Sequence, residues 1–148
     1  VGEIVGGDGG LLRTLLAAGY LPVVSSIGIA GDGSLLNLNA DDAAAGIARI
    51  LGARELLLLT DTAGVLGRDG APLAAIGREE IERGIAEGWI GGGMIAKVRG
   101  GLAAAEAAGI PVRIASWGDP PRLGLGDEAG SGTRILPHPL PLESPLPR

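Results

Sequence analysis

The sequence has no cysteine, no phenylalanine, one histidine and one lysine among its 148 residues. Without cysteine there are no disulfides and no thiolate metal sites, a usage that fits a reducing compartment. His138 is the only histidine, which makes a histidine-based metal site or a Ser-His-Asp triad implausible. It reads as a solvent-facing residue of the tail. Two Trp and one Tyr are the only aromatics, so the 46% of residues that are hydrophobic must build an aliphatic core of Leu, Ile, Val and Ala. The longest apolar stretch, around Leu56 and Leu59, is far shorter than the about 20 residues that span a bilayer. The N-terminus also lacks the basic-plus-apolar pattern of a secretory signal, so a cytoplasmic chain with no membrane partner is expected. No basic run occurs and the net charge is -5, which argues against nucleic acid as a partner. The chain starts at Val1 rather than at Met, so its first residue need not be the natural start.

What is present is a regular alternation of helical and extended patterns separated by glycine. After a Gly-rich opening, residues 11–18 place Leu11, Leu12, Leu15 and Leu16 on one helical face, and Gly19 suits the C-terminal cap. Residues 21–27 read as a strand, and residues 27–30 and 35–38 as hairpin arms about Gly31-Asp32-Gly33-Ser34. Residues 41–51 make an Ala-rich helix closed by Gly52, and residues 55–59 a continuous apolar run expected of a central strand covered on both faces. A second hairpin signal joins residues 65–66 to residues 71–76 through Gly67-Arg68-Asp69-Gly70. Helices follow at residues 78–87 and 94–108, the latter closed by Gly109, with strands at residues 111–115 and 132–136. This order predicts an α/β fold, a mostly parallel sheet sandwiched by helices with inserted β-hairpins. Residues 118–132 are rich in Pro and Gly, so any helix there is short or broken. Residues 1–136 are expected to form the folded unit, and residues 137–148, with five prolines, an extended or disordered tail.

Two stretches carry possible chemistry. Asn37-Leu38-Asn39-Ala40-Asp41 lies where an apolar strand meets the Ala-rich helix, the kind of junction at which α/β proteins place ligands. It also fits a plain helix start, with Asn39 as cap and Asp41 and Asp42 against the positive end of the helix. Gly91-Gly92-Gly93-Met94-Ile95-Ala96-Lys97 opens a helix with a flexible turn that can aim backbone N–H groups at a phosphate, and Lys97 follows about one turn in. The same stretch also reads as an ordinary loop before a helix with a solvated lysine. Asp61, at a strand end, can cap a turn or bind a ribose or base edge. GxGxxG and Walker A patterns are absent.

The order of these elements resembles that of the acetylglutamate kinases of the amino-acid-kinase family, from about residue 19 to residue 136. The resemblance rests on Gly19-Tyr20-Leu21-Pro22-Val23-Val24, Ser26-Ile27-Gly28, Asn37-Leu38-Asn39-Ala40-Asp41 and Leu59-Thr60-Asp61-Thr62-Ala63-Gly64-Val65-Leu66. It continues through Gly93-Met94-Ile95-Ala96-Lys97-Val98, Ile114-Ala115-Ser116-Trp117 and Gly132-Thr133-Arg134-Ile135-Leu136. It implies the C-terminal, ATP-binding half of an enzyme that transfers a phosphoryl group from ATP, with Mg2+, to the side-chain carboxylate of N-acetyl-L-glutamate in arginine biosynthesis. By the same resemblance Asn37 would bind substrate, Asp41 would hold the catalytic lysines, and Lys97 would stabilise the transferring phosphoryl group. The nucleotide would be bound by Asp61, Thr62, Ala63, Gly64, Val65, Leu66, Trp89, Ile90, Gly91, Gly93 and Met94. A homodimer is expected of the full-length enzyme, through residues outside this chain.

The departures bear on activity. The family's chain is about twice as long, and its N-terminal half supplies a Gly-rich phosphate loop, a second catalytic lysine and a substrate-gripping arginine. Lys97 is the only lysine here, so no other can replace the missing one. The resemblance therefore implies a fragment inactive by itself. Two other readings share many of these residues: a carrier-protein-linked aminoadipate or glutamate kinase, and a non-catalytic nucleotide- or amino-acid-binding module.

Overall fold

Glycines at helix ends and a mainly aliphatic core set the layout of the chain. In the computed structural model, Gly2 and residues 4–118 and 131–137 are described. The Pro/Gly-rich residues 119–130 and the tail from His138 onward lie outside the described residues.

Helix α1 (Gly10–Ala17) carries its leucines as expected but has no buried residue. Leu12 and Leu15 are half-buried while Leu11 and Leu16 are exposed. The strand expected at residues 21–27 does not form over residues 21–25; the extended ladder begins only at β1 (Ile27–Ile29). The reason is pairing: an extended run becomes a strand only beside a neighbour that accepts its hydrogen bonds. Among the described residues this run has none, so Leu21 and Val23 stay 87% and 94% exposed.

β1 pairs antiparallel with β2 (Leu35–Asn37), matching Ile27 with Asn37 and Ile29 with Leu35. The reversal is held by Asp32, whose Oδ1 accepts from the Ser34 backbone N–H at 2.9 Å and from its hydroxyl at 2.7 Å. Gly33 supplies the left-handed φ of 86° that the turn demands. The hairpin feeds α2 (Ala40–Leu51), capped by Asn39 and closed by Gly52 at φ 69°.

The main sheet has the order β3-β5-β6-β4, built from β3 (Leu56–Thr60), β4 (Ala75–Ile76), β5 (Val112–Ser116) and β6 (Thr133–Ile135). β3 runs parallel to β5 and β4 parallel to β6, while β5 and β6 are antiparallel, so the sheet is mostly parallel. The central position expected for residues 55–59 is not observed: among the described residues β3 is an edge strand, and Leu59 is 47% exposed. Its continuous leucines gave no hint of this, because burial of both faces and pairing of both edges leave separate marks and only the first shows in hydropathy. The second hairpin is reduced to an isolated Leu66–Pro72 bridge, with the Gly67 N–H donating to the Ala71 carbonyl at 2.7 Å. Its second arm leaves to join the main sheet as β4.

Helices α3 (Arg78–Glu87) and α4 (Gly93–Ala108) close at Gly88 and Gly109, both left-handed. α4 packs on β5 and β6, with α2 and α3 beside it. The core consists of Val98, Leu102 and Ala105 of α4 against Val112, Ile114 and Ile135, joined by Ala45, Val65, Ile76, Ile81 and Ile90. Gly101 lets α4 approach closely, since a Cβ there would lie 2.6 Å from Ile135 Cδ1. On the other sheet face, Arg113 is only 2% exposed and donates from Nε to Glu55 Oε1 at 3.1 Å and from a terminal nitrogen to Oε2 at 2.5 Å. Arg134, its cross-strand neighbour, donates to the same Oε1 at 2.8 Å. Burial pushes the Glu55 carboxyl up, but the hydrogen bonds from Arg113 and Arg134 outweigh it and hold the group below its ordinary 4.5.

Thr133 ties the sheet to the loop after β3. Fully buried, its hydroxyl accepts from the Val65 N–H at 2.8 Å and donates to the Leu73 carbonyl at 2.7 Å. Thr133→Val leaves both backbone groups without this partner and is expected to lower stability by about 1–3 kcal/mol, read as a lower urea midpoint at unchanged slope. A second expectation concerns acid. Because the Glu55 carboxyl is depressed in the folded chain, its contribution is complete above the unfolded value of 4.5 and is lost as pH falls through the folded one. Glu55→Gln should lower stability at neutral pH, by removing the carboxylate that accepts from both Arg113 and Arg134, and should flatten the fall below about pH 4.5 in denaturation midpoints.

Candidate functional site

A cleft of about 360 Å³ opens between the loop after β3 and the turn after α3, lined by Thr62, Ala63, Gly64, Val65, Leu66, Trp89, Ile90, Gly91 and Met94. The first wall is the segment leaving the carboxyl end of a parallel strand, where open α/β sheets place ligands. Gly64, at φ 142°, passes so close to Thr133 that a Cβ would lie 2.7 Å from its hydroxyl oxygen. No side chain fits there.

The second wall depends on Gly84. A Cβ at that position would lie 2.7 Å from both Trp89 Cζ2 and Ile90 Cδ1, so the bare backbone of α3 is what lets the turn fold back on it. The Ile90 N–H donates to the Gly84 carbonyl at 3.0 Å. Trp89 donates its indole N–H to Glu87 Oε2 at 3.1 Å, and the same oxygen is 2.6 Å from Arg68. The indole is thereby fixed at the cleft with its one polar atom already used. Most of the lining is apolar, which suits a flat aromatic ring.

Met94 continues the cleft into α4, and Lys97 lies one turn further on. The Lys97 ammonium forms an ion pair with Asp61, which also accepts from the Thr60 hydroxyl at 2.9 Å. The hydrogen bond from Lys97, and then that from Thr60, hold the Asp61 carboxyl below its ordinary value. Gly92 takes a positive φ of 55° just before α4, and no side chain caps that helix end. The Met94 and Ile95 N–H groups there donate to the Gly91 and Gly92 carbonyls at 3.2 and 3.3 Å, and the positive end of the helix dipole still favours an anion. Gly93 is the first residue of α4 and does not line the cleft.

Asn37 and Asp41 occupy a different place, at the junction of β2 and α2. Asn39 between them is a true cap, its Oδ1 accepting from the Asp41 and Asp42 N–H groups at 2.9 and 3.2 Å. The Asn37 side chain is exposed, and its backbone carbonyl accepts from Gly2. Among the described residues Asp41 makes no ion pair; Lys97 is engaged by Asp61 instead. Sequence reasoning gave Thr133 no role, although it belongs to the Gly-Thr-Arg group that helped carry the resemblance. The available signal was a hydroxyl residue inside a short apolar strand, which must find a partner when buried.

Comparison with known proteins fits this geometry. Residues 1–116 match the model of the amino acid kinase family. An acetylglutamate kinase of Pectobacterium carotovorum is 50% identical over 137 residues, 92% of this chain and 53% of that protein. The chain thus spans about half the length of the curated relatives it matches. An N-acetylglutamate synthase from Neisseria gonorrhoeae, solved with coenzyme A and L-arginine, superposes with a TM-score of 0.68 at 26% identity, covering 88% of this chain and 31% of that one. A carbamate kinase from Giardia lamblia, at 23% identity, shares the fold with a TM-score of 0.59 over 86% of this chain and 42% of its own. With the family model matched over most of its length, the chain belongs to the amino acid kinase family.

Proposed function

We propose that this chain is the nucleotide-binding half of an ATP-dependent kinase that phosphorylates the side-chain carboxylate of N-acetyl-L-glutamate, the second step of arginine biosynthesis. The observation that carries the reading is the cleft itself: residues 62–66, 89–91 and Met94 converge on one apolar space, and the single lysine stands one turn beyond Met94 on the same helix. The 50% identity to an acetylglutamate kinase supports the choice of acid.

In this reading the nucleoside enters between the loop after β3 and Trp89, and the phosphates extend toward the Gly92 turn and Lys97. A substrate carboxylate oxygen attacks the γ-phosphorus while the bond to the bridging oxygen breaks, giving an acyl phosphate and ADP. Such transfers need positioning and charge neutralisation rather than a covalent intermediate. Lys97, released from Asp61 by the stronger negative charge of the phosphates, stabilises the transferring group. Asn37 orients the acid substrate without a competing charge, and Asp41, lacking an ion partner among the described residues, organises lysines brought to the site. Magnesium arrives with the phosphates, whose oxygens are its ligands. The second lysine, the Gly-rich loop and the substrate arginine belong to the other half of the enzyme.

Titration of the isolated chain with ADP, followed by Trp fluorescence because Trp89 lines the cleft, should show saturable binding. No binding at millimolar ADP would sink the reading. The isolated chain should transfer no measurable phosphate to N-acetylglutamate. In the enzyme completed by its N-terminal half, Lys97→Ala should lower kcat about 100-fold or more with little change in KM. Equal losses in both would contradict the role given to the lysine.

A further inference from the structure

The two walls of the cleft come from separate parts of the chain, and the indole of Trp89 has open space beyond it. Trp89 lines the cleft and also a second cavity of about 460 Å³, shared with Arg68, Asp69, Glu80, Arg83 and Glu87. The indole is thus a partition between an apolar space and a charged one.

Arg68 sits in the tight turn that continues the first wall past Leu66. Backbone bonds hold that turn: the Gly67 N–H donates to the Ala71 carbonyl at 2.7 Å and the Gly70 N–H to the Gly67 carbonyl at 2.9 Å. Asp69 Oδ1 accepts from the Ala71 N–H at 3.0 Å. Glu87 is the last residue of α3 and leads into the second wall. Its Oε2 takes the Arg68 guanidinium at 2.6 Å and the indole N–H at 3.1 Å. One oxygen therefore ties both walls and the partition together. Arg83 stands one turn before Glu87 at the spacing of an ordinary helix pair, yet Glu87 engages Arg68. The bond runs from wall to wall rather than along the helix. The two side chains are 73% and 37% exposed, so the pair adds little to global stability and is open to screening by salt.

We propose that Arg68 and Glu87 are positioning residues, a salt-sensitive latch that joins the two walls and keeps the indole on the nucleotide side. The proposal rests on the kinase reading and goes beyond it, because it assigns affinity to two residues that do not line the cleft.

The test titrates adenosine, which carries no charge of its own, into the chain at about 0.02 M and about 0.5 M salt. The unsubstituted chain should bind about threefold more weakly at the higher salt. Arg68→Met, which keeps the apolar stem, and Glu87→Gln, which keeps an acceptor for the indole, should show that loss already at low salt and no further salt dependence. Arg68→Lys restores the charge and should recover most of the affinity, and Arg83→Gln should bind as the unsubstituted chain does. Urea midpoints without ligand should be unchanged throughout. In the enzyme completed by its N-terminal half, Glu87→Gln should raise KM for ATP about threefold at unchanged kcat. Native affinity in Arg68→Met and Glu87→Gln overturns the latch and leaves the kinase reading intact, as does an equal loss in Arg83→Gln. A fall in urea midpoint that accompanies the loss of affinity marks a structural pair and likewise overturns it. If the unsubstituted chain binds neither adenosine nor ADP, the kinase reading itself fails and takes the latch with it.

Discussion

The distance at which α4 lies on β5 and β6 governs everything at the cleft. That distance is set by Gly101, where a methyl group would collide with Ile135. Because α4 sits so low, Met94 reaches the cleft wall and Lys97 reaches Asp61 at the end of β3. β6, the strand beneath, carries Thr133, which holds the other wall through Val65. One helix and one short strand thus position both sides, and a shift between them would displace walls and lysine together. The interior that fixes the contact is wholly aliphatic, so it is held by shape rather than by polar bonds.

Much of this was legible in the sequence where a single residue type decides the geometry. The ends of α2, α3 and α4 fall at Gly52, Gly88 and Gly109 because the left-handed cap tolerates little else. The hairpin about Gly33 and the Asn39 cap were readable for the same local reason. Eight of the residues around the cleft lie in two short segments that the family resemblance had marked for nucleotide, with Met94 as the ninth. What escaped was non-local. Residues 21–25 have the composition of a strand but no neighbour among the described residues, and β3 has the leucines of a central strand but an edge position. Hydropathy records what a side chain prefers to face and says nothing of which backbone lies beside it. Thr133 escaped for a related reason, since its two partners lie 60 and 68 residues away in sequence.

The charges divide into two groups with different tasks. Glu55, Arg113 and Arg134 form a network on the sheet face away from α4, where the guanidiniums settle a carboxylate that burial alone would discourage. Asp61 is the most exposed of these groups, with 68% of its side chain open to solvent, and its attraction to Lys97 is weakened accordingly. A structural ion pair gains from burial and rigid geometry, whereas a pair that must open for a ligand gains from being weak. The carboxylates follow that division, Glu55 being largely covered and Asp61 open to solvent.

The free edge of β3 carries a further consequence. Four consecutive leucines end at Leu59, β3 has a neighbour on one side only among the described residues, and Leu59 is 47% exposed. An unpaired apolar edge is a template for any other extended chain, including another copy of this one. Its colloidal behaviour should therefore depend steeply on concentration, with the net charge of -5 as the main force keeping molecules apart and added salt weakening that force.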